Sequence, residues 1–139
     1  MNIDAIQNGV VIDHITAGKG MKLYQLLKLD ETDLSMAIIR NVASQKMGKK
    51  DIIKIDADIP VNLDVIAYVD PGATINIIRQ GKLVEKRAIE MPLTLRDVIF
   101  CKNPRCISST EQELHHIFRL TDPEEKVYRC IYCETKASI

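Results

Sequence analysis

The chain has 139 residues, 46% hydrophobic and 27% charged, enough for one domain or two small ones sharing an interface. Lys plus Arg equals Asp plus Glu at 19 each, so there is no basic excess to bind a phosphate backbone by counterion release, and nucleic acid is not expected as a partner. Apolar runs such as 65–69 fall far short of the roughly 20 residues that a membrane span needs, and residues 1–8 lack the basic start and apolar core of a secretory signal, which predicts a cytoplasmic protein.

Residues 10–15, Val-Val-Ile-Asp-His-Ile, read as a strand that Gly18-Lys19-Gly20 breaks. Met21, Leu23, Tyr24, Leu26 and Leu27 then recur at helical spacing, predicting a helix through Leu29. A polar turn at 30–33 leads to a strand at 34–42. A second turn at 47–51 leads to a β-branched strand at 52–56. Pro60 is expected to open a helix with Asp58 as a nearby cap and Leu63, Ile66 and Ala67 on one face, ended by Asp70-Pro71-Gly72. Strands at 73–78 and 83–88 flank a hairpin turn at 79–82.

This β-α-β-β-α-β order with one extra strand predicts an α+β fold whose first domain, 1–92, is a ferredoxin-like split βαβ sheet with two helices. Met91-Pro92 marks the boundary. The remainder, 93–139, is expected to be a small antiparallel β domain with strands at 95–100, 115–120 and 127–129 and a short terminal strand.

All four cysteines fall in that second segment, as C-x4-C, 23 intervening residues, then C-x2-C: Cys101, Cys106, Cys130 and Cys133. Two close pairs on separate turns suit one tetrahedral Zn2+, and Asn103-Pro104 forces the first turn. Disulfides would need an oxidising compartment of which the sequence gives no sign, and a redox C-x-x-C would need a thioredoxin-like context. Structural zinc, one ion per chain, is the favoured reading. With four thiolates the ion has no open position for water and should hold the fold rather than perform chemistry. A segment this small buries too little apolar surface to fold alone.

The run Val11-Ile12-Asp13-His14-Ile15, the segment Leu27 to Asp33, the block Met47 to Ile55 and the C-x4-C, C-x2-C-Glu tail together resemble, in order and over nearly the whole chain, the aspartate carbamoyltransferase regulatory chain family. The resemblance implies a noncatalytic allosteric subunit of pyrimidine biosynthesis that binds CTP, UTP and ATP. It also implies that the zinc domain docks on catalytic chains, within a dodecamer of two catalytic trimers and three regulatory dimers. Asp13, His14, Lys54 and Lys86 match positions that meet ribose and phosphates. Ala5, Ile6, Asn76, Ile78 and Leu83 match positions around base and sugar, and Lys50 a second basic position near the effector. The four cysteines match the zinc ligands, and Asn103 and Glu134 match positions facing catalytic chains. Gly81 stands where some members have an aromatic residue, and Leu83 where a smaller β-branched residue is usual.

Several of these residues also have plainer readings. Strand alternation would send Asp13 and His14 to opposite faces of the sheet, except at a strand end or an edge. Lys49, Lys50 and Lys54 alone would pass for a solvated face. His115 and His116 read as structural beside a complete cysteine set, and no separate Cys remains for nucleophilic catalysis. Two other classes stay open: a zinc-ribbon module binding nucleic acid or protein, which should carry a basic C-terminal face, and a small nucleotide-using enzyme, which should carry a phosphate loop or metal-binding carboxylates. Neither signature is in the sequence.

Overall fold

Val10, Ile12 and Ile15 are buried along the strand Gly9–Thr16 (β1), which forms the centre of a five-stranded antiparallel sheet. The other strands are Met36–Ser44 (β2), Gly48–Ile55 (β3), Thr74–Arg79 (β4) and Lys82–Ala88 (β5), in the order β2-β3-β1-β4-β5. This is the split βαβ arrangement: β3 lies between β1 and β2 and antiparallel to both. The computed structural model describes residues 6–138 and divides into two compact units between Glu90 and Met91.

Helices Gly20–Leu26 (α1) and Leu63–Val69 (α2) pack with each other in the first unit. Leu23, Val65, Ile66, Ala67 and Val69 are buried from the helices, and Ile12, Ile53, Ile55 and Ile75 from the sheet. Both helices differ at their ends from the sequence expectation. α1 stops at Leu26, because Lys28 turns left-handed (φ 57°) and Leu29–Glu31 forms a single 3-10 turn. α2 opens three residues after Pro60, since Asn62, not Asp58, accepts from the amides of Asp64 and Val65, at 3.1 and 3.4 Å. Asp58 instead pairs with Arg79 at 3.3 Å. The expected hairpin is present: Gln80 (φ 52°) and Gly81 (φ 75°) make a two-residue loop of the type that matches strand twist.

Two bulges meet opposite the middle of β3. Arg40 and Asn41 of β2 oppose Asp51, and Asp13 and His14 of β1 oppose Ile52. Asp51 is fully buried there. Its Oδ2 accepts from Gly18 and Gly20 amides, each at 3.0 Å, and its Oδ1 from the Asn41 amide at 3.0 Å. A Cβ on Gly20 would stand 2.9 Å from that carboxylate, so position 20 has no room for a side chain. Asp70, also buried, accepts from the Thr16 amide at 2.5 Å and from the Gly72 amide at 3.3 Å.

The second unit is a three-stranded antiparallel sheet, Thr94–Arg96 (β6), Ile117–Asp122 (β7) and Val127–Cys130 (β8), with a four-residue helix Ile107–Thr110 (α3). β6 is shorter than expected because Asp97 turns left-handed (φ 56°), its carboxylate accepting from the His116 amide at 2.8 Å and meeting His115 Nδ1 at 2.6 Å. β7 begins at Ile117 rather than at residue 115, and the terminal strand reduces to one bridge between Arg129 and Lys136. Leu95, Ile99, Phe118 and Tyr128 are buried, and the Tyr128 hydroxyl donates to the Pro92 carbonyl at 2.6 Å. No helix among the described residues is long and apolar enough to cross a membrane.

Candidate functional site

The loop after β6 and the turn after β8 bring the four cysteines together, with all four Sγ atoms within 4.8 Å of one another. Cys101 to Cys133 and Cys106 to Cys130 are each 3.6 Å apart. Zinc bound tetrahedrally at about 2.3 Å from each sulfur implies edges of about 3.8 Å, so the cluster fits the ion. Cys101, Cys106 and Cys130 are buried and Cys133 is half-buried.

Polar neighbours support the sulfurs. The Ser108 hydroxyl lies 3.0 Å from Cys106 Sγ and the Thr135 hydroxyl 3.1 Å from Cys133 Sγ. Asn103 Nδ2 donates to Thr135 Oγ1 at 3.4 Å, so that when Cys133 is a thiolate the threonine proton is available to it. Asn103 also shapes the first turn: its side-chain oxygen accepts from the Arg105 amide and its carbonyl from the Cys106 amide, both at 3.0 Å. Glu134 is exposed and left-handed (φ 64°). Burial pushes the Cys101 thiol up to about 12, whereas Thr135 draws Cys133 down to about 6. A bound divalent cation would override that contrast by deprotonating all four. His116 has a structural task, accepting from the Cys101 amide at 3.1 Å and stacking edge-on against Phe100.

In the first unit the register settles where the sequence-picked residues lie. Antiparallel partners share a face, so Lys54, Val11, Asn76 and Lys86 form one row across β3, β1, β4 and β5. This face is opposite the one on which Ile12, Ile53 and Ile75 are buried. Ile78 and Leu83 form the next row on the same face, with Val84 left over as the extra residue of a third bulge.

The β1 bulge also removes the objection from alternation. Ile12 and Ile15 are both fully buried although three residues apart, so the two residues between them, Asp13 and His14, both turn to the face of Lys54. His14 accomplishes this with φ 57°, and its Nδ1 lies 3.0 Å from Thr74 Oγ1. Lys50 Nζ meets Asp13 Oδ1 at 3.0 Å. Burial pushes the Asp13 carboxyl up, but the Lys50 hydrogen bond, the His14 amide at 2.6 Å and the adjacent positive charges outweigh it, and its pKa is lowered. Asn76 Oδ1 is a buried polar atom with no hydrogen-bond partner, an acceptor presented in the middle of the row.

Ile6 is buried, its Cγ2 2.8 Å from where a Cβ on Gly9 would stand, and Ala5 lies outside the described residues. Sequence reasoning missed Asp51 and Asp70, which anchor the loop below the bulge. The signal for Asp51 was its phase with Ile53 and Ile55, which assigns an acidic residue to the inward side of β3.

The family model described as the aspartate carbamoyltransferase regulatory chain, allosteric domain, matches residues 1–90, and that described as its metal binding domain matches residues 94–139. Proteins named aspartate carbamoyltransferase regulatory chain are similar over nearly the full length. That of Clostridium tetani is 47% identical over 135 residues, 96% of this chain and 94% of the relative. That of Clostridium acetobutylicum is 42% identical over 134 residues, 96% and 92%. That of Bifidobacterium longum is 40% identical over 139 residues, all of both chains. A nucleic-acid-binding zinc ribbon is not favoured by these matches.

Proposed function

The chain belongs to the family of aspartate carbamoyltransferase regulatory chains, a noncatalytic partner of that enzyme's catalytic chains with an allosteric domain and a structural zinc site, and we propose that its effectors are nucleoside triphosphates bound on the open face of the five-stranded sheet. CTP, UTP and ATP compete there. Lys54 and Lys86 carry the phosphates, Asp13 accepts from ribose hydroxyls with Lys50 and His14 beside it, and Asn76, Ile78, Leu83, Ile6 and Ala5 surround sugar and base. Asn103 and Glu134 belong to the contact with catalytic chains.

The observation that carries this reading is the row Lys54, Val11, Asn76, Lys86 with the unpaired Asn76 oxygen at its centre. Three strand spacings separate the two lysines by about 14 Å between Cα atoms, a gap that two long, flexible ammonium side chains close around a triphosphate without a glycine-rich loop. The domain division expected at residue 92 gives the first domain the effector and the second the zinc. In the cytoplasm the chain works within two catalytic trimers bridged by three regulatory dimers. Control is by linkage: a nucleotide that binds one quaternary state better shifts the equilibrium by that difference in affinity.

Lys86→Ala is expected to weaken CTP binding at least tenfold, measured by calorimetry, while zinc content and association with the catalytic trimer stay unchanged. An unchanged CTP affinity would remove Lys86 from the site.

A further inference from the structure

The second unit has seven basic and seven acidic residues from Arg96 onward, yet its sheet segregates them. Leu95, Phe118, Tyr128 and Cys130 are buried on one face. On the other, Thr94, Arg119 and Arg129 lie in register across β6, β7 and β8, and the bridge from Arg129 continues the row to Lys136. Arg96 stands diagonally beside Arg119, and all four cations are exposed. Like charges directly opposite on neighbouring strands destabilise a sheet, so folding gains nothing from this row.

Arg119 makes no ion pair or side-chain hydrogen bond among the described residues, and Arg129 spends one guanidinium nitrogen on the Glu134 carbonyl at 3.1 Å. Between them lies a concavity of about 80 Å³ lined by Arg119, Thr121, Arg129, Cys130, Ile131 and Glu134.

We infer that this concavity is a receptor for a single acidic side chain of the catalytic chain, an Asp or Glu held between Arg119 and Arg129. The inference rests on the proposed docking of the zinc domain and names the chemistry of one contact in it. Three features favour a protein carboxylate over a free anion. The volume is well below the roughly 300 Å³ at which small-molecule pockets begin. Glu134 already brings a negative charge, which a polyphosphate would meet several times over and one carboxylate only once. The pocket is lined by the apolar side chain of Ile131, which is 46% exposed and is followed in sequence by the exposed Tyr132, apolar surface which a soluble anion has no use for. Arginine beside aromatic and aliphatic groups is the usual composition of a protein interface, and its planar fork suits a carboxylate.

The test titrates full-length, zinc-loaded chain against the catalytic trimer of the same source, by calorimetry at low and moderate salt. Arg119→Glu is expected to lower association at least 100-fold and to flatten its salt dependence, Arg119→Lys to lose less than tenfold, and Lys126→Glu, an equal charge change in the β7–β8 turn, to leave it unchanged. Should the acidic side chain unsettle the sheet, seen as lost zinc, Arg119→Gln gives the same reading with a loss of at least tenfold. Wild-type affinity in Arg119→Glu, or an equal loss in Lys126→Glu, overturns the proposal. So does tight binding of inorganic phosphate that disappears in Arg119→Glu while trimer association persists, since the pocket would then serve a small anion. A wild-type chain that holds zinc but does not associate with the trimer removes the partner itself, and the proposal with it.

Discussion

In the first unit a layer of isoleucine and valine from β1, β3 and β4 packs under two helices, and Asp51, the one fully buried acidic residue among the described residues, accepts from three backbone amides. Among its described residues the second unit buries one leucine, one isoleucine, one phenylalanine and one tyrosine, and three of its remaining buried side chains belong to the cysteine cluster that fits zinc. One sheet is therefore stabilised mainly by apolar area, with a polar clasp at one end. The other depends on a metal that cross-links two turns 23 residues apart in sequence. The contrast teaches that the first unit can be weakened gradually and the second fails in one step.

The largest expected effect follows from the metal. Chelation, or Cys106→Ser, removes binding free energy on the order of 10 kcal/mol. It should unfold the second unit and abolish association with catalytic chains while CTP binding by the first unit persists. Circular dichroism and calorimetry on the same sample separate the two, and a second unit that kept its structure without metal would refute the contrast.

A smaller effect is expected at the polar clasp. Asp51→Ala takes the acceptor from three amides, of which that of Gly20 is buried, and should cost about 2 kcal/mol, read as a lower urea midpoint for the first unit with unchanged zinc content. The smallest effect concerns Asp13. Its folded pKa lies below the ordinary 3.8, so its ionised form favours the folded state at every pH above the unfolded value. That contribution is lost as pH falls through the folded value. NMR titration should find the carboxyl still ionised below the ordinary range, and Lys50→Gln should move it upward. An unmoved midpoint in that variant would show that the 3.0 Å contact with Lys50 contributes nothing.

Much of this was legible because the information is local. The cysteine spacing describes a closed ligand set without knowledge of the fold, and Gln80-Gly81 carries the backbone freedom its turn needs. The β-branched run at 52–56 marks a strand, and β3 does run through it to Ile55. Long-range register was not legible. That Lys54 shares a row with Asn76 and Lys86 depends on how β1 pairs with both neighbours. That Asp13 and His14 share a face depends on a left-handed histidine, a conformation with no strong sequence marker. Net charge hid the Arg119, Arg129, Lys136 row, since a count of seven against seven says nothing about which side of a sheet each charge occupies. The helix Ile107–Thr110 escaped notice because Ile, Ser and Thr are weak helix formers, and Asn62 was overlooked because Pro60 gave the stronger local signal.

The bulge in β1 separates what the architecture needs from what the proposed nucleotide site needs. Ile12 pairs with Ile53 and Ile15 with Asp51, while two residues face Ile52. A chain one residue shorter between Ile12 and Ile15 would keep both core contacts and pair without interruption. The extra residue is thus surplus to folding, and its whole consequence is a second polar side chain on the outer face. Insertion of a single codon is enough to create such a surface group. In this strand a change of length, rather than a substitution, is enough to turn a plain sheet into one with two adjacent polar groups on its outer face.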